Sequence, residues 1–259
     1  MHILLTNDDG VTAPGLMALE QALQKKGAEV TVLAPDRNWS ASGHVKTLHR
    51  PLRIMETTLA DGSFALASDG APSDCVALGL MGAVKLPVDY VVSGINPNAN
   101  IGLDVTYSGT VTAAMEGAIG GKPSFAVSLD APEHFHGPLD FTSAAAVAAR
   151  IIMSLTKVSN GGQPAPIWNI NIPYRQQGDY QGVMITRQGV RVYRDELVRR
   201  LDPSGQPYYW IGGEAPTGIV EEGTDFGALK QGYISVTPLQ LDLTDFKLQK
   251  NLQNFVVED

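Results

Sequence analysis

Met1-His2-Ile3-Leu4-Leu5-Thr6-Asn7-Asp8-Asp9-Gly10 opens the chain. The apolar run Ile3-Leu4-Leu5 predicts a strand buried on both faces, as strands inside a parallel sheet are. It stops abruptly in two adjacent carboxylates, Asp8 and Asp9. Adjacent carboxylates at the end of a buried strand repel each other and lose hydration, so they call for a counter-charge. A hard divalent cation, Mg²⁺ or Mn²⁺, supplies it with one or two carboxylates plus neutral oxygens. Gly10 lets the backbone turn past the pair. Asn, Asp and Gly are also the commonest turn residues, so this stretch alone leaves a plain strand-to-loop turn open.

Working outward, Val11 to Gly27 predicts a helix, with Pro14 near its start and Leu16, Leu19 and Leu23 at helical spacing. Val30-Thr31-Val32-Leu33 is a second strand. This strand-helix-strand unit opens a doubly wound, mostly parallel α/β sheet, in which ligands sit beyond the carboxyl ends of the strands. Three polar loops fall at that edge. The loop from Asp36 to His44 brings Ser40, Ser42 and His44; the strand Val88 to Val92 ends in a loop with Asn96, a neutral oxygen ligand or amide donor. Tyr107-Ser108-Gly109-Thr110 runs into a helix over Val111 to Ile119. A Ser-Gly-Thr turn at a helix start offers free N–H groups, hydroxyls and the positive dipole end to an anion. A simple N-cap by Ser108 or Thr110 is the competing reading.

Between these loops, residues 47–66 read as a β excursion with Leu48, Leu52 and Ile54 inward, and Ser73 or Asp74 caps an apolar helix holding Cys75. Strands at Phe125 to Leu129 and Ile167 to Ile172 flank an alanine-rich helix over Phe141 to Leu155. His134 and His136 read as a solvated loop. From Gly182 the texture changes to short alternating runs, punctuated by Asp202-Pro203-Ser204-Gly205 and Gly212-Gly213, which are turn signals. The chain therefore divides into a Rossmann-like core at 1–181 and a β-hairpin and tail at 182–259 that returns to the core near 232–240. A hairpin with exposed aromatics wants a partner, so it reads as an oligomerisation arm.

Composition narrows the function. The 259 residues carry 44% apolar and 18% charged side chains and a net charge of −8 without a basic cluster, which argues against nucleic acid or a membrane surface as partner. A single cysteine provides no disulfide framework, no run approaches a membrane span, and no targeting segment is recognised, so a cytoplasmic protein is expected.

The segments I-L-L-T-N-D-D-G, A-P-D-R-N-W-S, G-A-P-S-D-C-V, V-V-S-G-I-N, Y-S-G-T-V-T-A-A-M-E-G, N-I-N-I-P, G-T-D-F and S-V-T-P-L occur in that order up to about Leu243. In these the chain resembles the SurE family, the stationary-phase survival-protein nucleotidases. The resemblance implies a phosphomonoesterase using one divalent cation per subunit, Mg²⁺ or Mn²⁺, on nucleoside 5′-monophosphates, extending to 3′-monophosphates and short polyphosphate. It places metal ligands on Asp8, Asp9, Ser40 and Asn96 and phosphate contacts on Asn96, Ser108, Gly109 and Thr110. Asn7, Ser42 and His44 are secondary candidates. It also implies a homodimer or homotetramer built by exchange of the C-terminal hairpin and tail. Ala41 follows Ser40 where many members carry glycine.

Phosphoryl transfer leaves positioning and charge stabilisation as the protein's work. The expected mechanism is attack by a metal-activated water, with Asp8 or Asp9 taking its proton; an aspartyl-phosphate route is the chemical alternative. A phosphatase of the haloacid-dehalogenase type would carry Asp-x-Asp, whereas here the acids adjoin. A non-enzymatic Mg²⁺-binding receiver module would need a phosphate-accepting aspartate two strands on and a lysine near its last strand, and is about half as long. Base recognition is expected to be weak, since no aromatic clamp lies near the three loops.

Overall fold

The computed structural model describes residues 1–132, 135, 137–158, 165–175, 178–253 and 255, with backbone alone for 213–216. Strand β1 (His2–Thr6) is buried along its whole length. It is followed by α1 (Pro14–Gln24), which begins at the proline and buries Leu16, Leu19 and Leu23, and by β2 (Glu29–Pro35). β3 (Ile54–Thr58) and β4 (Phe64–Ser68) form an antiparallel pair, and β4 runs parallel to β2. Then come α2 (Pro72–Leu78), β5 (Tyr90–Asn96), α3 (Gly109–Ile119), β6 (Ser124–Asp130), α4 (Thr142–Leu155) and β7 (Ile167–Pro173). The remaining elements are β8 (Val183–Ile185), β9 (Arg191–Leu201), β10 (Pro207–Gly218), α5 (Asp225–Lys230), β11 (Ile234–Leu239) and α6 (Phe246–Asn251).

Nine strands make one sheet in the order β3-β4-β2-β1-β5-β6-β7-β11-β8. From β4 to β7 every pairing is parallel, while β3 and β11 run against their neighbours β4 and β7. This is the doubly wound, mostly parallel architecture expected. Helices α1 and α4 pack together over one face of the sheet, and α2 and α3 over the other. The chain first moves from β1 outward to β2, then returns to place β5 on β1's other side. That reversal makes β1/β5 the topological switch point, where the carboxyl ends open a crevice. Asp8 and Asp9 follow β1 there, and Asn96 ends β5.

Several local expectations change. Leu48 is 84% exposed, because the segment before β3 runs as a loop over the surface rather than as a strand. Gly212 and Gly213 do not turn the chain: they lie inside β10, paired with Glu196 and Asp195 of β9. The turn is at Asp202 to Gln206, where the Asp202 carboxylate accepts from the Ser204 and Gln206 N–H groups at 2.8 Å each. The short helix α5 follows Thr224 and leads into β11, where the chain returns to the core. His134 and His136, most of the linker before β7, and the end of the tail lie outside the described residues.

Candidate active site

The site is built on the turn after β1. Asn7 is spent on shaping it: its amide donates to the Gly10 carbonyl (3.0 Å) and its side-chain oxygen accepts from the Gly10 N–H (3.2 Å). Gly10 has φ +100°, a conformation that side chains rarely adopt. With the turn closed, Asp8 is 4% exposed and points at the start of α3. The Thr110 hydroxyl donates to Asp8 Oδ1 at 2.5 Å. Gly109 lies so close that a Cβ there would come within 2.7 Å of the Asp8 Cβ and 3.0 Å of its Oδ2. Glycine is therefore what lets a helix N-terminus and a carboxylate share one corner. Ser108 is the N-cap of α3, its hydroxyl oxygen accepting from the Val111 N–H at 3.1 Å.

Burial pushes the Asp8 carboxyl above its usual range, with the Thr110 hydrogen bond working the other way. Asp9 is pushed up to about 7, by burial first and by the Asp8 charge second. The pair is thus short of positive charge. Asn96 is 9% exposed; its amide donates to the Asn98 carbonyl at 2.5 Å, and its side-chain oxygen accepts no hydrogen bond among the described residues.

The loop after β2 is strapped over this corner. The Trp39 N–H donates to the Asp8 carbonyl (2.7 Å), and the Gly43 N–H to the Tyr107 carbonyl (3.0 Å). Thr112 on α3 donates to the Gly43 carbonyl at 3.0 Å. Between these ties Ser40 is exposed, with its N–H on the Asn38 side chain (2.7 Å), and Ala41 has φ +57°. The Ser42 hydroxyl and the Trp39 indole N–H are buried and find no partner among the described residues. His44 faces α3 instead of the acidic pair, its ring 3.0 Å from Glu116, whose other oxygen accepts from Lys46 at 2.8 Å.

Sequence reading missed the supports of the Asn96 loop. Asn169 and Asn171 of β7 both donate to the Asn100 carbonyl (2.7 and 3.1 Å), and Asn171 accepts from the Asn100 N–H at 2.8 Å. The Asn100 amide reaches Ser128 of β6 at 2.8 Å. Two asparagines at period 2 within an apolar strand were the available signal: on a buried face they have to satisfy a buried backbone. Asp225, also missed, is fully buried and accepts from the N–H groups of Gly102, Gly189 and Phe226 at 2.7–2.8 Å, tying α5 to the loops behind the site.

Among the described residues no cluster of three or more His, Cys, Asp or Glu side chains is arranged to hold a metal. The donors gathered at the switch point are two carboxylates and neutral oxygens, a set suited to a hard cation that keeps waters and substrate oxygens in its shell. The undercompensated charge of Asp8 and Asp9 and the unused Asn96 oxygen fit such an ion.

Residues 3–195 match the family described as survival protein SurE. The chain belongs to the SurE family. It is 49% identical to 5′-nucleotidase SurE of Chloroflexus aggregans over 98% of this chain and 99% of that protein. It is likewise 49% identical to 5′-nucleotidase SurE of Herpetosiphon aurantiacus, over 99% of this chain and 98% of that one. A crystal structure of the SurE protein from Aquifex aeolicus superposes with a TM-score of 0.80 at 39% identity, covering 98% of this chain and 99% of the other. The nine-stranded sheet and its long hairpin are therefore a SurE-type fold.

Proposed function

We propose that this SurE-family chain is a divalent-metal-dependent 5′-nucleotidase, hydrolysing nucleoside 5′-monophosphates to nucleoside and phosphate. The observation that carries the reading is the contact of Asp8 with the N-terminus of α3, through Thr110 and the gap left by Gly109. It joins a cation-seeking carboxylate to an anion-seeking helix end, as a phosphate with its metal requires. The names of the relatives supply the substrate class. Asp8, Asp9, Asn96 and the strapped Ser40 would hold one Mg²⁺ or Mn²⁺ per subunit. When bound, the cation neutralises charge on the phosphoryl group and lowers the pKa of a water it binds.

The remaining work falls to the chain. The N–H groups opening α3 orient the phosphate oxygens, with the helix dipole favouring their charge. Thr110 fixes the Asp8 carboxylate by its hydroxyl, leaving the second oxygen turned toward Gly109. Asp9, the less buried acid, would accept the proton of the attacking water. The reading extends to 3′-monophosphates and short polyphosphate, because nothing in the phosphate corner itself depends on the leaving group.

The test is phosphate release from nucleoside monophosphates with Mg²⁺ or Mn²⁺ and then with EDTA, alongside Asp8→Asn. Release should require the metal and fall at least a hundredfold in the variant. Burial already raises the Asp8 carboxyl, and asparagine can keep the Thr110 hydrogen bond through its oxygen. The variant should therefore melt in EDTA no lower than the native chain at pH 7–8, while losing the rise in Tm that Mn²⁺ gives the native protein. Wild-type turnover in Asp8→Asn would remove the metal assignment.

A further inference from the structure

The phosphate corner accounts for only half of a nucleotide. Beside it, over the carboxyl ends of β5, β6 and β7, lies a second concavity of about 700 Å³. That is within the size range of small-molecule sites. Its near rim is Asn98, whose carbonyl accepts from the Asn96 amide, so it shares an edge with the candidate metal site. Tyr174, just past the end of β7, and Phe226 and Leu229 of α5 give it apolar walls. Asp130, the last residue of β6, supplies a carboxylate. Ser128, two residues back on the same strand face, is the residue that holds Asn100, which sets Asp130 beside the loop carrying Asn96.

The polar groups of this cleft are unequally committed. The Arg191 Nε donates to Asp104 at 2.7 Å, and the Lys230 ammonium lies 5.2 Å from the centre of the Phe226 ring. Both cations also act on Asp130 through space, opposing the upward push of burial on its carboxyl. The Asp130 carboxylate itself accepts no hydrogen bond among the described residues. An acceptor between apolar walls, next to a phosphate site, matches a ligand with hydroxyl or amino donors on a flat apolar frame.

We infer that the cleft over β5–β7 receives the nucleoside half of the substrate, with Asp130 accepting a hydrogen bond from a donor on the nucleoside, its sugar hydroxyls foremost. The inference rests on the nucleotidase reading above but concerns a different set of residues. The walls were hidden in sequence because Tyr174 and Phe226 lie 52 positions apart and far from the three polar loops.

The test compares native protein with Asp130→Ala, which removes the acceptor, on adenosine 5′-monophosphate and on p-nitrophenyl phosphate, which offers no donor to Asp130. The KM for the nucleotide, divided by that for the aryl phosphate, should rise about tenfold, with kcat for the nucleotide changing less than threefold. A ratio that stays fixed, whether both constants move together or neither moves, overturns the inference. A second measurement needs neither variant nor turnover: adenosine, titrated into native protein in EDTA and followed by NMR, should bind and should shift resonances of Tyr174 and Phe226. Absence of binding up to the solubility of adenosine overturns the cleft even if every phosphate ester is hydrolysed. Binding without hydrolysis of any ester would instead sustain the cleft and sink the nucleotidase reading.

Discussion

Ala41 is the one non-glycine residue among those described with a positive φ, and it adjoins Ser40 in the strap over the acidic pair. An L-residue in that region costs about 1–2 kcal/mol, while glycine loses about 0.4–1 kcal/mol through the entropy of the unfolded chain. Strain is the larger of the two. Ala41→Gly should therefore stabilise the protein by under about 1 kcal/mol, a Tm rise of about 1–3 °C by calorimetry. A lower Tm would show that the surrounding ties, not the residue, set this backbone. The acidic pair and the Ser-Gly-Thr turn could be read from sequence because each is a local anomaly: charge ending an apolar strand, and small polar residues opening a helix. Their contact could not, since Thr110 and Asp8 are 102 positions apart and only the return of the chain to β5 brings them together. His44 shows the same limit, as nothing near it in sequence indicates that it faces Glu116.

Helix α3 works at both ends. Its first turn meets Asp8, and two turns on Glu116 anchors the strap through His44 and Lys46. Those partners, His44 first, hold the Glu116 carboxyl below its usual range against the opposing effect of burial. A carboxylate with a lowered folded pKa contributes stability that is present above its unfolded value, about 4.5, and lost as pH falls through the folded one. Lys46 and His44 are partly exposed, so after screening the contribution is roughly 1 kcal/mol. Glu116→Gln should lower Tm by a few degrees at pH 7, with the gap to the native protein closing below about pH 4. It should also raise the KM for nucleotide severalfold, because the strap carries Ser40. A Tm gap that persists at acid pH would mean the amide fails by packing, not by charge. The parallel core was legible because strands such as β1 are apolar throughout and helices such as α1 carry a clear period. The long strand β9 was not: Arg191 to Leu201 holds six charged residues, and its extension rests on pairing with β10 rather than on a buried face.

At the scale of the whole molecule, β9 and β10 raise an unresolved balance. They form a two-stranded sheet of their own, with 11 and 12 residues per strand, and among the described residues neither pairs with a further strand. A lone two-stranded ribbon is marginal in water. Cross-strand neighbours Trp210 and Val198 lie on one face, and Ile211 and Leu197 on the other. Trp210 is 63% exposed and Ile211 83%, so apolar groups meet water on both faces at once. Folding back onto the chain's own core could cover only one face. A second copy that exchanges hairpins can cover both, and burying side chains of this size is worth about 1.5–3 kcal/mol each. We therefore expect the native chain to sediment as a dimer or tetramer of the 27.6 kDa subunit. Trp210→Glu combined with Ile211→Glu should shift it to a smaller species at the same concentration, with the far-UV spectrum of the core retained. Removing the tail from Thr244 onward should weaken assembly in the same direction if α6 docks on the neighbouring copy. A native protein that runs as a monomer at micromolar concentration would show that the ribbon stands alone. An oligomer indifferent to both changes would place the interface elsewhere on the surface.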